Sequence, residues 1–212
     1  EIVALQAKDE VLLNCVDAES EAAMKAEVDA VLRTGDTIGG VFEVVVHGLP
    51  PGVGTHANWD ERMDGLLAQA VMSLQAVKAV EIGRGVTAAE SLGSTVHDAI
   101  GYEGEGFTKF SREHNNAGGI EGGISNGEDV VVRGYLKPIS TLRRPLASVS
   151  FETREPVKAA YERSDVCVVP AAGVAAEAMV ALAIARLAVE KFGGDSLREM
   201  QRNFKGYCEQ IR

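Results

Sequence analysis

The residues of this chain best equipped for chemistry are two cations and their neighbours: Lys137 in Leu136-Lys137-Pro138-Ile139-Ser140-Thr141, and Arg163 in Arg163-Ser164-Asp165. An ammonium or a guanidinium holds a phosphate or an anionic ring through charge-assisted hydrogen bonds, each contributing about 1.5 to 3 kcal/mol net. Pro138 stiffens its corner, and Ser140 and Thr141 add two hydroxyls. A third element leads into that corner. His114 to Gly127 contains five glycines in fourteen residues and runs into the strand-like stretch Glu128 to Leu136. Glycine tolerates φ > 0 and lets a backbone approach a ligand with no Cβ in the way. Such a run is a hinge or a cradle, and the cation and hydroxyls beyond it favour a cradle for an anion. The plainer alternative is that Lys and Arg are solvated surface groups, with Arg163 and Asp165 a local ion pair worth at most about 1 kcal/mol. Three such elements in an otherwise negative chain weigh toward a site.

Other motif matches fail on context. Gly123-Ile124-Ser125-Asn126-Gly127 fits the G-x-S-x-G pattern of a nucleophile elbow, which needs a strand before it and a helix after. Here a loop precedes and a strand follows, and His47, His56, His97 and His114 all lie upstream of the serine. No G-x-G-x-x-G or G-x-x-x-x-G-K-[ST] loop is present, nor any metal-ligand spacing. His47, beside Gly48-Leu49-Pro50-Pro51-Gly52, reads as a strand-end residue.

The elements that must position these groups follow from periodicity. Ser20 is placed to cap a helix with Met24, Val28, Val31 and Leu32 on one face and Gly35 as its stop. Val41 to His47 reads as a strand, and residues 1 to 13 alternate weakly like another. A second helix is expected from Asn58 to about Leu74, with Met63, Leu66, Leu67, Ala70, Val71 and Leu74 on one face. It ends at Gln75-Ala76, ahead of a short strand from Val77 to Ile82. The exposed amide of Gln75 at such a junction is a ligand contact or simply surface polarity. Gly101 to Gly127 holds eight of the 23 glycines. A connection that long is functional or disordered, and Tyr102, Phe107 and Phe110 suggest that it packs on something. In Val130 to Leu136 the even-numbered apolar residues alternate with Val131, Arg133 and Tyr135. Beyond the corner the reading is a strand from Ala147 to Phe151, a helical piece from Pro156 to Glu162, and a long Ala-rich helix from Ala171 to Phe192. That helix is apolar nearly all round, the pattern of a central covered one. Gly193-Gly194 ends it, and Ser196 with Glu199 forms a capping box for the last helix.

At 212 residues the chain fits one domain, or at most two small ones, and a net charge of -10 argues against nucleic-acid or anionic-membrane binding, which need a basic field. Cys15, Cys167 and Cys208 lack any C-x-x-C spacing, so neither a disulfide framework nor a zinc site is suggested, and a reducing cytoplasm fits. Val166 to Val189 is interrupted by Glu177 and Arg186, each costly in a bilayer. The opening at Glu1, without methionine, suggests a piece of something longer.

Four stretches, in order and spacing, resemble the C-terminal half of chorismate synthase: Met72 to Gly83, Asn116 to Gly127, Leu136 to Thr141, and Arg163 to Ala172. The resemblance covers essentially all of the chain. It implies an α+β fold, a β-sheet packed with helices in a β-α-β sandwich, as one domain over 1-212. It also implies a lyase of the shikimate pathway, which leads to the aromatic amino acids. That enzyme removes phosphate and a ring proton from 5-enolpyruvylshikimate 3-phosphate to give chorismate, using reduced FMN without net redox change. Carried over by motif, Gln75, Ala76, Gly122, Lys137, Pro138, Ile139, Ser140, Thr141 and Arg163 contact FMN, and Asp165 sits near the flavin N5 to relay a proton. A cytoplasmic homotetramer is implied for the full-length enzyme, and no metal. The family's N-terminal half supplies a Gly-Glu-Ser-His-Gly motif, a second histidine and substrate-gripping arginines, none of which is in these residues. The expectation is therefore that these residues alone turn over no substrate and bind FMN weakly. Two other readings stand beside this one: a folding or assembly fragment with no ligand site, and an unrelated phosphate-binding domain.

Overall fold

A computed structural model describes residues 13–102, 106–162 and 165–212, and the strand expected over residues 1 to 13 falls almost wholly outside them. In chain order the elements are α1 (Ala18–Thr34), β1 (Gly40–Val46), α2 (Met63–Met72), β2 (Val77–Ile82), α3 (Val86–Ala89), α4 (Gly93–Val96), β3 (Ile100–Gly101) and β4 (Ser111–Arg112). There follow β5 (Ile120–Glu121), β6 (Ile124–Ser125), β7 (Val130–Leu136), β8 (Ala147–Val149), β9 (Pro156–Lys158), α5 (Val169–Phe192) and α6 (Leu197–Gln210), a mixed α+β set. The chain divides into two compact units, one made of residues up to Phe42 with Tyr135–Val174, the other of Glu43–Gly134 with Ala175–Arg212.

In the first unit α1 is capped by Asp17, not by Ser20. Asp17 is extended, and its carboxylate accepts the Ser20 amide at 2.7 Å. A carboxylate three residues ahead reaches the orphan N–H that a serine inside the first turn cannot. Gly35, at φ 74°, closes the other end: its N–H bonds to Leu32 O, and Asp36 N–H bonds to Val31 O. These are the two bonds of a Schellman closure. β8 and β9 pair antiparallel with Ala147 opposite Lys158 and Val149 opposite Pro156. The helical piece expected from Pro156 is therefore a strand. Arg154 turns the chain at φ 62°, and the residue before a proline is pushed out of the α region, so Glu155 starts an extended run.

The second unit holds most of a sheet of order β1-β7-β2. Along β7 the residues alternate buried and half-buried as read from the sequence, with Val130 and Val132 fully buried. α2 places Met63, Leu67 and Val71 at i, i+4, i+8 into the core, and Val53, Val77 and Ile120 are buried as well. α2 begins at Met63 because Asn58 to Glu61 form a separate turn: Glu61 N–H bonds to Asn58 O, and the Asn58 amide bonds to the Glu61 carboxylate at 2.8 Å. Asparagine competes with the helix for its own backbone. α5 differs most from expectation. It buries only Ala176, Val180, Leu187 and Phe192, while Leu182 and Val189 are more than half exposed. By length and composition it is apolar enough to cross a membrane. Phe192 stacks edge-on with Phe204 and Tyr207 of α6 at 5.2 and 5.7 Å, and the Tyr207 hydroxyl donates to Pro51 O at 2.8 Å. Ser196 Oγ accepts Glu199 N–H, and the Glu199 carboxylate accepts Asp195 N–H, so the expected capping box forms one residue wider.

Candidate functional site

In the second unit the glycine run is a densely bonded turn, and most of its glycines serve chain-to-chain approach. The Asp98 carboxylate accepts Asn116 N–H at 3.0 Å and Ala117 N–H at 3.1 Å. Asn115 donates to Asp129 O and accepts Gly119 N–H, both at 2.8 Å. At Gly118, φ 63°, a Cβ would collide with the backbone of Gly83, and at Gly119 it would lie 2.5 Å from Asp129 O. Gly122 and Gly123 make the two-residue turn joining β5 to β6, with φ 63° and 87°. Positive φ at both positions is what a type I′ hairpin turn requires. The two then part company. Gly123 is packed, its carbonyl accepting Met63 N–H at 3.1 Å and its Cβ position 2.7 Å from Thr55 O, whereas a Cβ on Gly122 would meet no atom within 4 Å. The cradle reading thus narrows to Gly122, the one glycine of the five whose side faces open space.

The hairpin is braced by charge. Glu121 accepts from Arg112 and, at 3.0 Å, from Asn126. Burial works to raise the Glu121 carboxyl, but the Asn126 and Arg112 hydrogen bonds outweigh it and hold the group below its ordinary range. Ser125 is 3% exposed, with its hydroxyl donating to Pro50 O at 2.6 Å and accepting Val53 N–H at 2.9 Å. The serine of the G-x-S-x-G match is therefore a pin for the 50–53 loop. Ala76, between α2 and β2, sits at φ 68° with Gln75 exposed beside it. Left-handed backbone costs about 1 to 2 kcal/mol for an L-residue and concentrates at functional sites. His47 Nδ1 lies 2.7 Å from Asp129 Oδ1 at the exposed end of β1. The exposed pair Tyr102 and Phe110 stack edge-on with each other, so the Gly101–Gly127 connection packs partly on itself.

In the first unit, Lys137, Pro138 and Ser140 are exposed, and Ile139 and Thr141 are half-buried. Among the described residues Lys137 makes no ion pair. The corner is held from behind by the stretch between α1 and β1, which matches no motif. Thr37 Oγ1 donates to Ile139 O at 2.6 Å, Ile38 N–H donates to Val166 O at 2.9 Å, and a Cβ on Gly39 would collide with Leu136 O. Asp165, exposed, is the residue before Val166, so its position is set through Ile38. The structure thus brings the Lys137–Thr141 corner and Asp165 onto one three-residue backing. The pair Gly39-Gly40 was the available signal. Arg163 lies outside the described residues. Among the described residues no group of three His, Cys, Asp or Glu side chains is arranged to hold a metal.

The family model described as chorismate synthase matches residues 1–189. The chain is similar, at 79% identity over its whole length, to a protein named chorismate synthase from Acidobacterium capsulatum, covering 55% of that protein. It is 69% identical to one of the same name from Koribacter versatilis, covering all of this chain and 54% of that one. A solved structure described as a crystal structure of chorismate synthase superposes with a TM-score of 0.77 at 41% identity, over 94% of this chain and 51% of that chain. The chain spans about half the length of the curated relatives it matches.

Proposed function

The chain belongs to the chorismate synthase family, and on that premise we propose that it serves the elimination of phosphate from 5-enolpyruvylshikimate 3-phosphate to give chorismate, with reduced FMN as cofactor. Reduced FMN, when bound, supplies electron density that eases the departure of phosphate with no net redox change. The residues present fit such a group. Gly122 offers a backbone with open space where a Cβ would stand, Ala76 holds a strained left-handed turn beside the exposed Gln75, and Lys137 is an ammonium with no carboxylate partner among the described residues. In this reading Gln75, Ala76, Gly122, Lys137, Pro138, Ile139, Ser140, Thr141 and Arg163 are the cofactor contacts that the family motifs carry over. The ammonium and guanidinium hold the anionic parts of the cofactor, and the Asp165 carboxylate relays the ring proton that the substrate gives up. A homotetrameric assembly and a cytoplasmic location belong to the same proposal.

The observation that carries this reading is the Lys137 corner, a cation with no ion-pair partner among the described residues, backed by the same stretch as the segment of Asp165. Anaerobic titration of reduced FMN into the protein at its full natural length tests it. Lys137→Ala is expected to weaken binding about ten- to a hundredfold, the loss of one charge-assisted contact. Equal affinity in the variant overturns the assignment. Simple phosphate esters competing as well as FMN would point instead to a general phosphate-binding domain.

A further inference from the structure

The geometry points to Thr37 as a positioning residue for this site, one that holds the Lys137–Thr141 corner and the segment of Asp165 in a common register. The inference rests on the flavin reading above and extends it to a residue that no motif match singled out. Thr37 and Ile38 are adjacent, so their Cα atoms lie about 3.8 Å apart. The Thr37 hydroxyl donates to Ile139 O at 2.6 Å, spanning 102 positions of sequence, and the Ile38 amide donates to Val166 O at 2.9 Å. Two carbonyls, one in the middle of the corner and one next to Asp165, are therefore held by one dipeptide.

The next two residues continue the same strip. A Cβ on Gly39 would collide with Leu136 O and stand 3.1 Å from both Lys137 C and Pro138 N, and a Cβ on Gly40 would touch Val169 Cγ2 at 3.0 Å. Four consecutive residues thus back the corner, the Asp165 segment and the start of α5. Thr37 does so through a side-chain hydrogen bond, which makes its contribution separable by substitution. Ile139 lies two residues from Lys137 and two from Thr141. Fixing its carbonyl orients the peptide planes from which the ammonium and the hydroxyls depart. Without the donor, that carbonyl must turn toward solvent, since a partly buried acceptor left unpaired is costly.

The test uses the protein at its full natural length with four variants: Thr37→Val, which keeps shape and removes the donor; Thr37→Ser, which keeps the donor; Lys137→Ala; and the Thr37→Val/Lys137→Ala double. Reduced-FMN affinity is read anaerobically from flavin absorbance, beside thermal unfolding without FMN. Thr34→Val serves as a control, since its hydroxyl makes a similar bond to Val31 O at the exposed end of α1. Thr37→Val is expected to bind FMN about tenfold more weakly, the scale of one lost hydrogen bond, with Thr37→Ser restoring most of the affinity. In the Lys137→Ala background the Thr37→Val change should cost less affinity than it does in wild type, because the ammonium, one of the groups that the corner presents, is no longer there to be positioned. A loss of affinity that adds fully to that of Lys137→Ala, or that Thr34→Val reproduces, marks a general weakening of the fold and overturns the proposal. So does wild-type affinity in Thr37→Val. If wild type itself binds no FMN, the flavin reading fails and this inference falls with it. Binding by wild type with no coupling between Thr37 and Lys137 sinks the positioning role alone.

Discussion

The glycine run from His114 to Gly127 and the proline corner from Lys137 to Thr141 carry their rigidity in opposite ways. The glycine run has the most permissive backbone in the chain, yet Asp98, Asn115, Asn126 and Ser125 each hold it by hydrogen bonds, and Gly118, Gly119 and Gly123 are pressed against neighbouring backbone. The corner has the stiffest residue, but its side chains at Lys137, Pro138 and Ser140 lie in solvent and it is fastened from one side by Thr37 and Gly39. Glycine here records how closely two chain segments must pass. It does not record motion. The region whose composition looks rigid is the one that presents its side chains to solvent.

Substitutions can break or sharpen this contrast. The largest effect is expected at Gly118, where alanine must both adopt φ 63° and displace the Gly83 backbone. A loss of more than about 3 kcal/mol in urea unfolding followed by circular dichroism is expected. Next is Ser125→Ala, which leaves Val53 N–H without its acceptor and Pro50 O without its donor in a buried site, costing about 2 to 3 kcal/mol by the same measurement. Gly122→Ala has room for its Cβ and bears only the left-handed backbone, about 1 to 2 kcal/mol. Its signature should instead be weaker reduced-FMN binding. If Gly122→Ala unfolds as easily as Gly118→Ala, the distinction between packed and presented glycines is wrong.

The smallest effect is a pH dependence at Glu121. Its folded carboxyl sits below its ordinary range because the Asn126 and Arg112 bonds outweigh burial. A depressed carboxyl stabilises the fold fully above its unfolded value, and that stabilisation is lost as pH falls through the folded one. Amide-exchange protection around Ile124 and Ser125 should therefore decline on acidification below the ordinary glutamate range. Glu121→Gln, which keeps the hydrogen-bonding shape without the charge, should flatten that decline. An unchanged acid profile in Glu121→Gln would show that other carboxylates govern the hairpin.

Local rules read from residue order alone recovered a good part of this molecule. The Gly35 stop, the alternation of β7, the short strand after Gln75-Ala76 and the Ser196 cap depend on groups within a few residues of one another, so their physics is contained in a short window. The motif stretches around Gly122, Lys137 and Asp165 likewise pointed to the family. What such a window misses is set by distant partners. Whether Pro156 begins a helix or a strand depended on pairing with Ala147–Val149, and the cover of α5 depends on which surfaces meet Leu182 and Val189. The backing of the corner by Thr37 joins positions 102 residues apart. Composition determined which segments of this chain can bend, bury or bind. The tertiary structure alone decided which glycine faces open space and which hydroxyl stands behind the cation, because a hydrogen bond or a collision exists only once two remote stretches of backbone share the same few ångströms.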